Sequence, residues 1–278
     1  MDCISVVDLE VYAHHGVLEE EKKQGQTFLI TFEAYLDISQ AGEEDDLTLS
    51  VSYASMCYTI EDYLKSEKYN LIETLAEGIA KALLTTYDLV KGVKVTVKKP
   101  HAPIGRPFKY AGVTIERSWH EAYVAIGSNM GKREEILLQA IEAMNVSGHS
   151  LVEKVSELRE TKPWGYVDQE DFINGVIRIK TLLSPSKLMD YLLEIEHIFK
   201  RERDIHWGPR TLDLDLIFYD DLVSEDEKVV LPHPRMAQRK FVLKPLSELA
   251  PFKVHPLLKK RVIDLLAELE MNGVNRSI

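Results

Sequence analysis

The chain has 278 residues, 45% hydrophobic and 28% charged, the balance of a globular chain long enough for two domains. A formal net charge of −11 argues against nucleic acid or an anionic membrane as partner, and the longest apolar run, residues 122–126, is far too short to span a bilayer. Two cysteines, Cys3 and Cys57, make no disulfide framework, and the acidic start Met1-Asp2 does not read as a signal peptide, so a cytoplasmic protein is expected.

Residues 2–12 and 26–38 are rich in β-branched and aromatic side chains and predict strands. A helix is predicted over 51–66 and a stronger one over 71–87, where Leu71, Ile72, Leu75, Ala76, Ile79, Ala80, Leu83 and Leu84 share one face. Val93, Val95 and Val97 alternate with polar residues, as do Val113 and Ile115, which predicts half-buried strands. The order ββααββ leaves long strand edges and one sheet face to cover, so homo-oligomerisation is expected.

The pattern restarts near Trp119. A buried strand over 122–126 runs into the turn Gly127-Ser128-Asn129, and a helix over 132–144 follows. Strands are predicted over 152–159 and 172–181, then a helix over 184–199 that Ser184-Pro185 begins. A strand over 212–219, a short one at 229–231 and a helix over 262–271 complete the pass. Strands and helices alternate throughout, which predicts an α+β architecture with domains at 1–118 and 119–278. The first part carries 12 Lys+Arg against 19 Asp+Glu and the second 22 against 26. The dense basic stretches lie in the second: Arg201, Arg203 and Arg210, then Arg235, Arg239, Lys240 and Lys244.

Four features of the first part carry chemistry. His14-His15 suggests a metal site, but neighbours on an extended chain point to opposite faces and no third ligand stands at a recognisable spacing. Glu73 lies off the apolar stripe of its helix, where Asn70 and Glu73 would also fit a capping box. Tyr53 sits at a helix start, and Lys99 ends a strand before Pro100. Taken singly these are weak signals. In order, however, Tyr-Ala-His-His-Gly-Val with Glu21, Val51-Ser52-Tyr53, Asn70-Leu71-Ile72-Glu73-Thr74-Leu75-Ala76-Glu77 and Val97-Lys98-Lys99-Pro100 resemble dihydroneopterin aldolase over residues 1–118. The resemblance implies a tunnelling-fold ββααββ domain that assembles into rings, of four subunits or stacked to eight. It implies retro-aldol cleavage with no cofactor, because the N5=C6 imine of the pterin accepts the electrons. Glu73 would bind the N2/N3 edge of the pterin, Glu21 the side-chain diol, and Lys99 and Tyr53 would move protons. Like-charge repulsion from Lys98 is expected to depress the Lys99 pKa.

In the second part, Gly127-Ser128-Asn129-Met130-Gly131-Lys132 is not a P-loop, having three residues between its glycines and Arg133 after its lysine; Ser128 or Asn129 is expected to cap a helix instead. Asp213 and Asp215 stand one residue apart on a predicted strand and so face the same way, about 7 Å apart at the backbone. Alone they would suit a solvated strand face. With Arg201, Arg203 and Arg210 just upstream they suit a Mg²⁺–nucleotide site. His206-Trp207-Gly208-Pro209-Arg210-Thr211-Leu212-Asp213-Leu214-Asp215 resembles the signature of 6-hydroxymethyl-7,8-dihydropterin pyrophosphokinase, and the likeness runs through residues 119–278. It implies a ferredoxin-like α+β fold and transfer of pyrophosphate from ATP to the pterin hydroxymethyl group. Asp213 and Asp215 would bind two Mg²⁺ ions. Arg201, Arg203, Arg210, His233 and Arg239 would contact phosphates, with Glu196 and Trp207 at the nucleotide. Thr161, Pro163, Phe172, Asn174 and Phe241 would form the pterin pocket.

The product implied for the first part is the acceptor implied for the second, which makes a bifunctional folate-pathway enzyme the leading reading. Its alternatives are an enzyme with one live site and a non-catalytic scaffold that binds pterin or nucleotide.

Overall fold

Period-two alternation builds the first sheet. Strands β1 (Asp2–Ala13), β2 (Gln26–Leu36), β3 (Gly92–Lys99) and β4 (Ala111–Ser118) pair antiparallel in that order. Phe28, Ile30, Phe32, Ala34 and Leu36 of β2 and Val93, Val95 and Val97 of β3 are buried on one face. Two short helices, α1 (Glu19–Gln24) and α2 (Ser39–Glu44), flank β2. Helices α3 (Tyr53–Ser66) and α4 (Ile72–Thr86) cover the apolar face with Met56, Ile60 and Leu64, and with Leu75, Ile79 and Leu83. Ser52 caps α3, accepting from Ser55 N–H at 3.3 Å. The expected Asn70–Glu73 capping box is not formed: the cap of α4 is Leu71, with no side-chain bond. The other sheet face is polar, with Lys94 paired to Glu33 at 3.4 Å, Lys98 to Asp8 at 2.6 Å, and the Thr96 and Thr114 hydroxyls 2.9 Å apart. β1 and β4 are the outer strands.

The structure is a computed structural model; it describes residues 1–146, 148–162, 169–199 and 211–274 and divides into two compact units, Met1–Trp119 and His120–Ile278. In the second unit β5 (His120–Ser128) is the central strand. After it come α5 (Arg133–Val146), β6 (Ser150–Val155), β7 (Arg159–Thr161), β8 (Phe172–Thr181), α6 (Pro185–Ile198) and β9 (Asp213–Tyr219). The hairpin of β10 (Ser224–Asp226) and β11 (Val229–Leu231) precedes α7 (Lys240–Leu249) and α8 (Val262–Val274). β5 pairs antiparallel with β8 on one side and β9 on the other, while β6 and β7 both pair with β8. One sheet face packs Val124, Ile126, Ile177, Ile179, Leu214 and Leu216 against Leu137, Leu188 and Leu192 of α5 and α6. The other packs Tyr123, Val176, Ile217 and Phe218 against Val242, Leu246 and Leu265 of α7 and α8.

One strand expectation changes here, and one helix is new. The single strand over 152–159 is two strands, because at Ser156 the hydroxyl rather than the carbonyl takes the Val176 N–H at 2.9 Å, while the Ser156 N–H still donates to Val176 O. Helix α7 carries no sequence expectation because Pro245 stands inside it, yet Val242, Leu243 and Leu246 still bury one face. No helix of the described residues is long and apolar enough to cross a membrane.

Ile79 is fully buried between α4 and the first sheet. Ile79→Ala is expected to cost about 2–5 kcal/mol of stability, read as a lowered midpoint in urea unfolding.

Candidate functional site

Lys99 lies on the same face of β3 as Val97, and its Nζ stands 2.5 Å from Glu21 Oε1. Both side chains are close to nine-tenths buried. Gln26 Nε2 donates to Glu21 Oε1 at 3.2 Å, and Leu18 N–H donates to Oε2 at 3.2 Å. Burial disfavours charge on Glu21, but the hydrogen bonds from Lys99 and Leu18 and the Lys99 charge outweigh it and hold the carboxyl below its ordinary value. Gly16 makes the approach possible. Its φ is +146°, and a Cβ there would run into the Glu21 carboxylate. Gly16 N–H donates to Tyr69 O at 2.9 Å, and Tyr69 N–H donates to His15 Nδ1 at 3.2 Å, which ties this turn to the loop before α4.

The adjacent histidines have different surroundings. His15 is buried with its ring edge against Phe28 at 5.4 Å, and burial lowers its pKa. His14 meets Tyr12 edge-on at 5.6 Å. Lys98 faces the opposite side of the sheet. Its bond to Asp8 raises its pKa, and its Nζ lies over the Tyr110 ring at 5.2 Å, on the other side of the sheet from Lys99. Tyr53, 64% exposed, and Glu73, also exposed, stand in the first turns of α3 and α4. The structure brings Glu21 and Lys99 together and leaves Tyr53 and Glu73 on the surface of the unit.

In the second unit, Asp213 and Asp215 share the α7/α8 side of β9, with Leu214 between them in the opposite core. Arg239 Nη1 donates to Asp215 Oδ2 at 3.2 Å, and His233 Nε2 lies 3.9 Å from the same oxygen. Desolvation by burial lowers the His233 pKa, with Asp215 opposing it. Glu196, 1% exposed on α6, accepts Leu214 N–H at 2.7 Å and so braces the backbone between the two aspartates from the other face. Two half-buried carboxylates on one face suit Mg²⁺, which commonly takes one or two protein carboxylates and completes its shell with water and substrate phosphates. Among the described residues no cluster of three or more His, Cys, Asp or Glu offers an all-protein cage.

Across the sheet, Asn174 Nδ2 donates to Thr161 Oγ1 at 2.6 Å, and Phe172 pairs with Thr161 in register. Thr161, Asn174 and Phe241 line a cavity of about 290 Å³ with Arg159, Glu160, Lys162, Lys240, Lys244 and Pro245. The basic rim had no motif to announce it; Lys240 and Lys244 stood out only as part of a dense basic stretch. Asn129 does not cap α5, which begins at Arg133; its Nδ2 donates to Gln169 Oε1 at 3.0 Å and Glu170 O at 3.2 Å. Pro163, Arg201, Arg203, Trp207 and Arg210 lie outside the described residues.

Fold and site together define a two-unit α+β protein with an antiparallel ββααββ unit and a second unit carrying an acid pair beside a small polar-rimmed cavity. The family model of 7,8-dihydro-6-hydroxymethylpterin-pyrophosphokinase matches residues 123–251, and that of dihydroneopterin aldolase matches residues 4–116. The 2-amino-4-hydroxy-6-hydroxymethyldihydropteridine pyrophosphokinase of Bacillus subtilis is 44% identical over 128 residues, 46% of this chain and 77% of its own length. The folic acid synthesis protein FOL1 of Dictyostelium discoideum is 31% identical over 287 residues, covering 93% of this chain and 43% of its own. Among solved structures, E. coli dihydroneopterin aldolase in complex with neopterin is 29% identical, covers 42% of this chain and 100% of its own, and has a TM-score of 0.40. The chain belongs to the 7,8-dihydro-6-hydroxymethylpterin-pyrophosphokinase family, and the part ahead of it is similar to dihydroneopterin aldolase. It spans less than half the length of FOL1.

The Glu21–Lys99 geometry has a pH signature. Because the folded carboxyl titrates below the ordinary glutamate value of about 4.3, its stabilising contribution is present at neutral pH and is lost as pH falls through the lower folded value. Lys99→Met is expected to raise the Glu21 midpoint, read by carboxyl ¹³C NMR titration. An unchanged midpoint would show that Lys99 does not hold the charge.

Proposed function

We propose that the chain catalyses two consecutive steps of folate biosynthesis, residues 1–118 acting as the aldolase and 119–278 as the pyrophosphokinase. The observation that carries the reading is the shared face of β8, β5 and β9. It sets a cavity lined by Thr161, Asn174 and Phe241 beside the same-facing carboxylates of Asp213 and Asp215.

In the first step 7,8-dihydroneopterin is cleaved to 6-hydroxymethyl-7,8-dihydropterin and glycolaldehyde. The hydroxyl proton leaves, the carbon–carbon bond of the side chain breaks, its electron pair enters the N5=C6 imine, and a proton then returns to the hydroxymethyl carbon as the imine re-forms. The buried Glu21–Lys99 pair supports this assignment, with Glu21 accepting from the diol and Lys99 and Tyr53 moving protons at the hydroxyl and N5. Glu73 pairs with the N2/N3 edge of the pterin. Tyr53 and Glu73 are exposed on the single chain, and β1 and β4 offer unpaired outer edges, which supports assembly through this unit in rings of four or stacked rings of eight.

In the second step pyrophosphate passes as one unit from ATP to the new hydroxymethyl group, and AMP leaves. Asp213 and Asp215 would hold Mg²⁺, which supplies charge neutralisation on the phosphate oxygens. Arg239 and His233 would contact phosphates, a role their nearness to Asp215 supports, and Arg201, Arg203 and Arg210 would share it. Asn174 and Thr161 orient the pterin, and Phe172 and Phe241 supply apolar surface for its ring. Pro163 completes the pterin site and Trp207 the nucleotide site, whereas Glu196, expected at the nucleotide, is buried on the opposite face and acts by holding the Leu214 N–H between the two aspartates.

Asp213→Ala is expected to lower AMP formation by about a hundredfold or more while glycolaldehyde release is kept. Lys99→Ala is expected to do the reverse, lowering glycolaldehyde release by about 10²–10⁴-fold. EDTA is expected to stop only the second reaction. Loss of both activities in either variant contradicts separate sites, and a chelator-sensitive aldolase revives a metal role for His14 and His15.

A further inference from the structure

Gly127 opens a turn whose glycine-rich look suggests a phosphate loop, and no role described above uses it. Its position in the sheet is distinctive. On the central strand it pairs with Asn174 of β8 on one side and with Asp213 of β9 on the other. Residues directly opposite one another in an antiparallel pair project to the same face. Asn174, Gly127 and Asp213 therefore form one row across three adjacent strands, and the two ends of that row are about 10 Å apart, twice the strand spacing. One end lines the cavity and the other carries a carboxylate. Between them the sheet presents bare backbone.

The row is also tight. A Cβ at Gly127 would lie 2.5 Å from Asn174 Oδ1, well inside contact distance. The Asn174 amide has little freedom to retreat, since its Nδ2 donates to Thr161 Oγ1 at 2.6 Å. Any side chain at residue 127 must then turn the Asn174 amide away from the cavity or break its bond to Thr161. The neighbouring glycine of β8 contrasts with this: a Cβ at Gly175 would meet Leu158 at 2.7 Å and the Ser156 hydroxyl at 3.3 Å, away from Asn174 and the cavity.

We infer that Gly127 is a positioning and specificity residue for the pterin: its bare backbone lets Asn174 hold its oxygen over the sheet and leaves a passage from the cavity to Asp213 for the group that accepts pyrophosphate. The inference rests on the pyrophosphokinase reading. It gives a reason for a glycine next to the last residue of β5, where no phosphate loop follows.

The test compares the full chain with Gly127→Ala and Gly175→Ala. Three quantities are read: affinity for 6-hydroxymethyl-7,8-dihydropterin by calorimetry, affinity for a non-hydrolysable Mg–ATP analogue, and steady-state AMP formation. Gly127→Ala is expected to weaken pterin binding and raise its KM by about tenfold or more, the scale of one misplaced methyl group in a fitted pocket. Nucleotide affinity is expected to stay within about twofold, as a single fitted methyl acts on its own pocket. Gly175→Ala is expected to lower the unfolding midpoint without a selective loss of pterin. Pterin affinity within twofold of wild type in a folded Gly127→Ala protein overturns the inference, as does a parallel loss of pterin and nucleotide. A wild-type chain that binds pterin but forms no AMP counts against the reaction and leaves the binding comparison to judge Gly127. A wild-type chain that binds no pterin overturns both.

Discussion

Strand register is the constraint on which both units depend. Side chains alternate faces along a strand, so a slip of one residue exchanges a chemical face for a core face. On β9, Leu214 and Leu216 enter the core shared with α5 and α6, which forces Asp213 and Asp215 to the opposite side. On β3, Val93, Val95 and Val97 enter the core under α3 and α4, and the same alternation sends Lys99 to Glu21 and Lys98 to Asp8. Two adjacent lysines thus acquire different partners from hydrophobic burial alone. Leucine and valine packing, worth about 1.5–3 kcal/mol per buried side chain, sets the positions of groups that would gain little by themselves.

The two candidate sites handle charge differently. In the first unit one buried carboxylate meets one buried ammonium, and Gln26 and the Leu18 N–H satisfy the remaining acceptor capacity. Such a pair survives desolvation only when it is also hydrogen-bonded. In the second unit the carboxylates are half-exposed, and Arg239 is bonded to Asp215 at 3.2 Å. Half-exposed acids beside arginine and histidine are suited to ligands that bring their own charge, as a nucleotide with its metal does. An acidic average of −11 over the chain is compatible with this because the basic residues of the second unit are gathered locally.

The sequence carried much of this in its spacing. The alternation of Val93, Val95 and Val97 and the stripe from Leu71 to Leu84 announced the first unit, and Asp213-Leu214-Asp215 announced its own geometry. Three things were not legible. The choice between Lys98 and Lys99 depends on Glu21, which is 78 positions away in the chain and reaches Lys99 only through α1. Helix α7 was hidden by Pro245, whose cost is offset by burial of Val242, Leu243 and Leu246. The capping expected of Asn70 and Asn129 failed because each lies ahead of the cap position, Asn70 just before Leu71 and Asn129 well before Arg133, and Asn129 instead donates to the Gln169 side chain and the Glu170 carbonyl. Local propensity cannot see such partners, because they are set by tertiary contacts.

The most direct test of the whole account supplies the purified chain with 7,8-dihydroneopterin and Mg–ATP together and follows both products in one vessel. Glycolaldehyde is predicted to appear first, followed by AMP and the pterin pyrophosphate in equal amounts. AMP should depend on prior cleavage unless the hydroxymethyl pterin is added directly. Glycolaldehyde with no AMP, or AMP formed from added pterin with no glycolaldehyde from dihydroneopterin, would contradict the claim that one chain carries two consecutive catalysts.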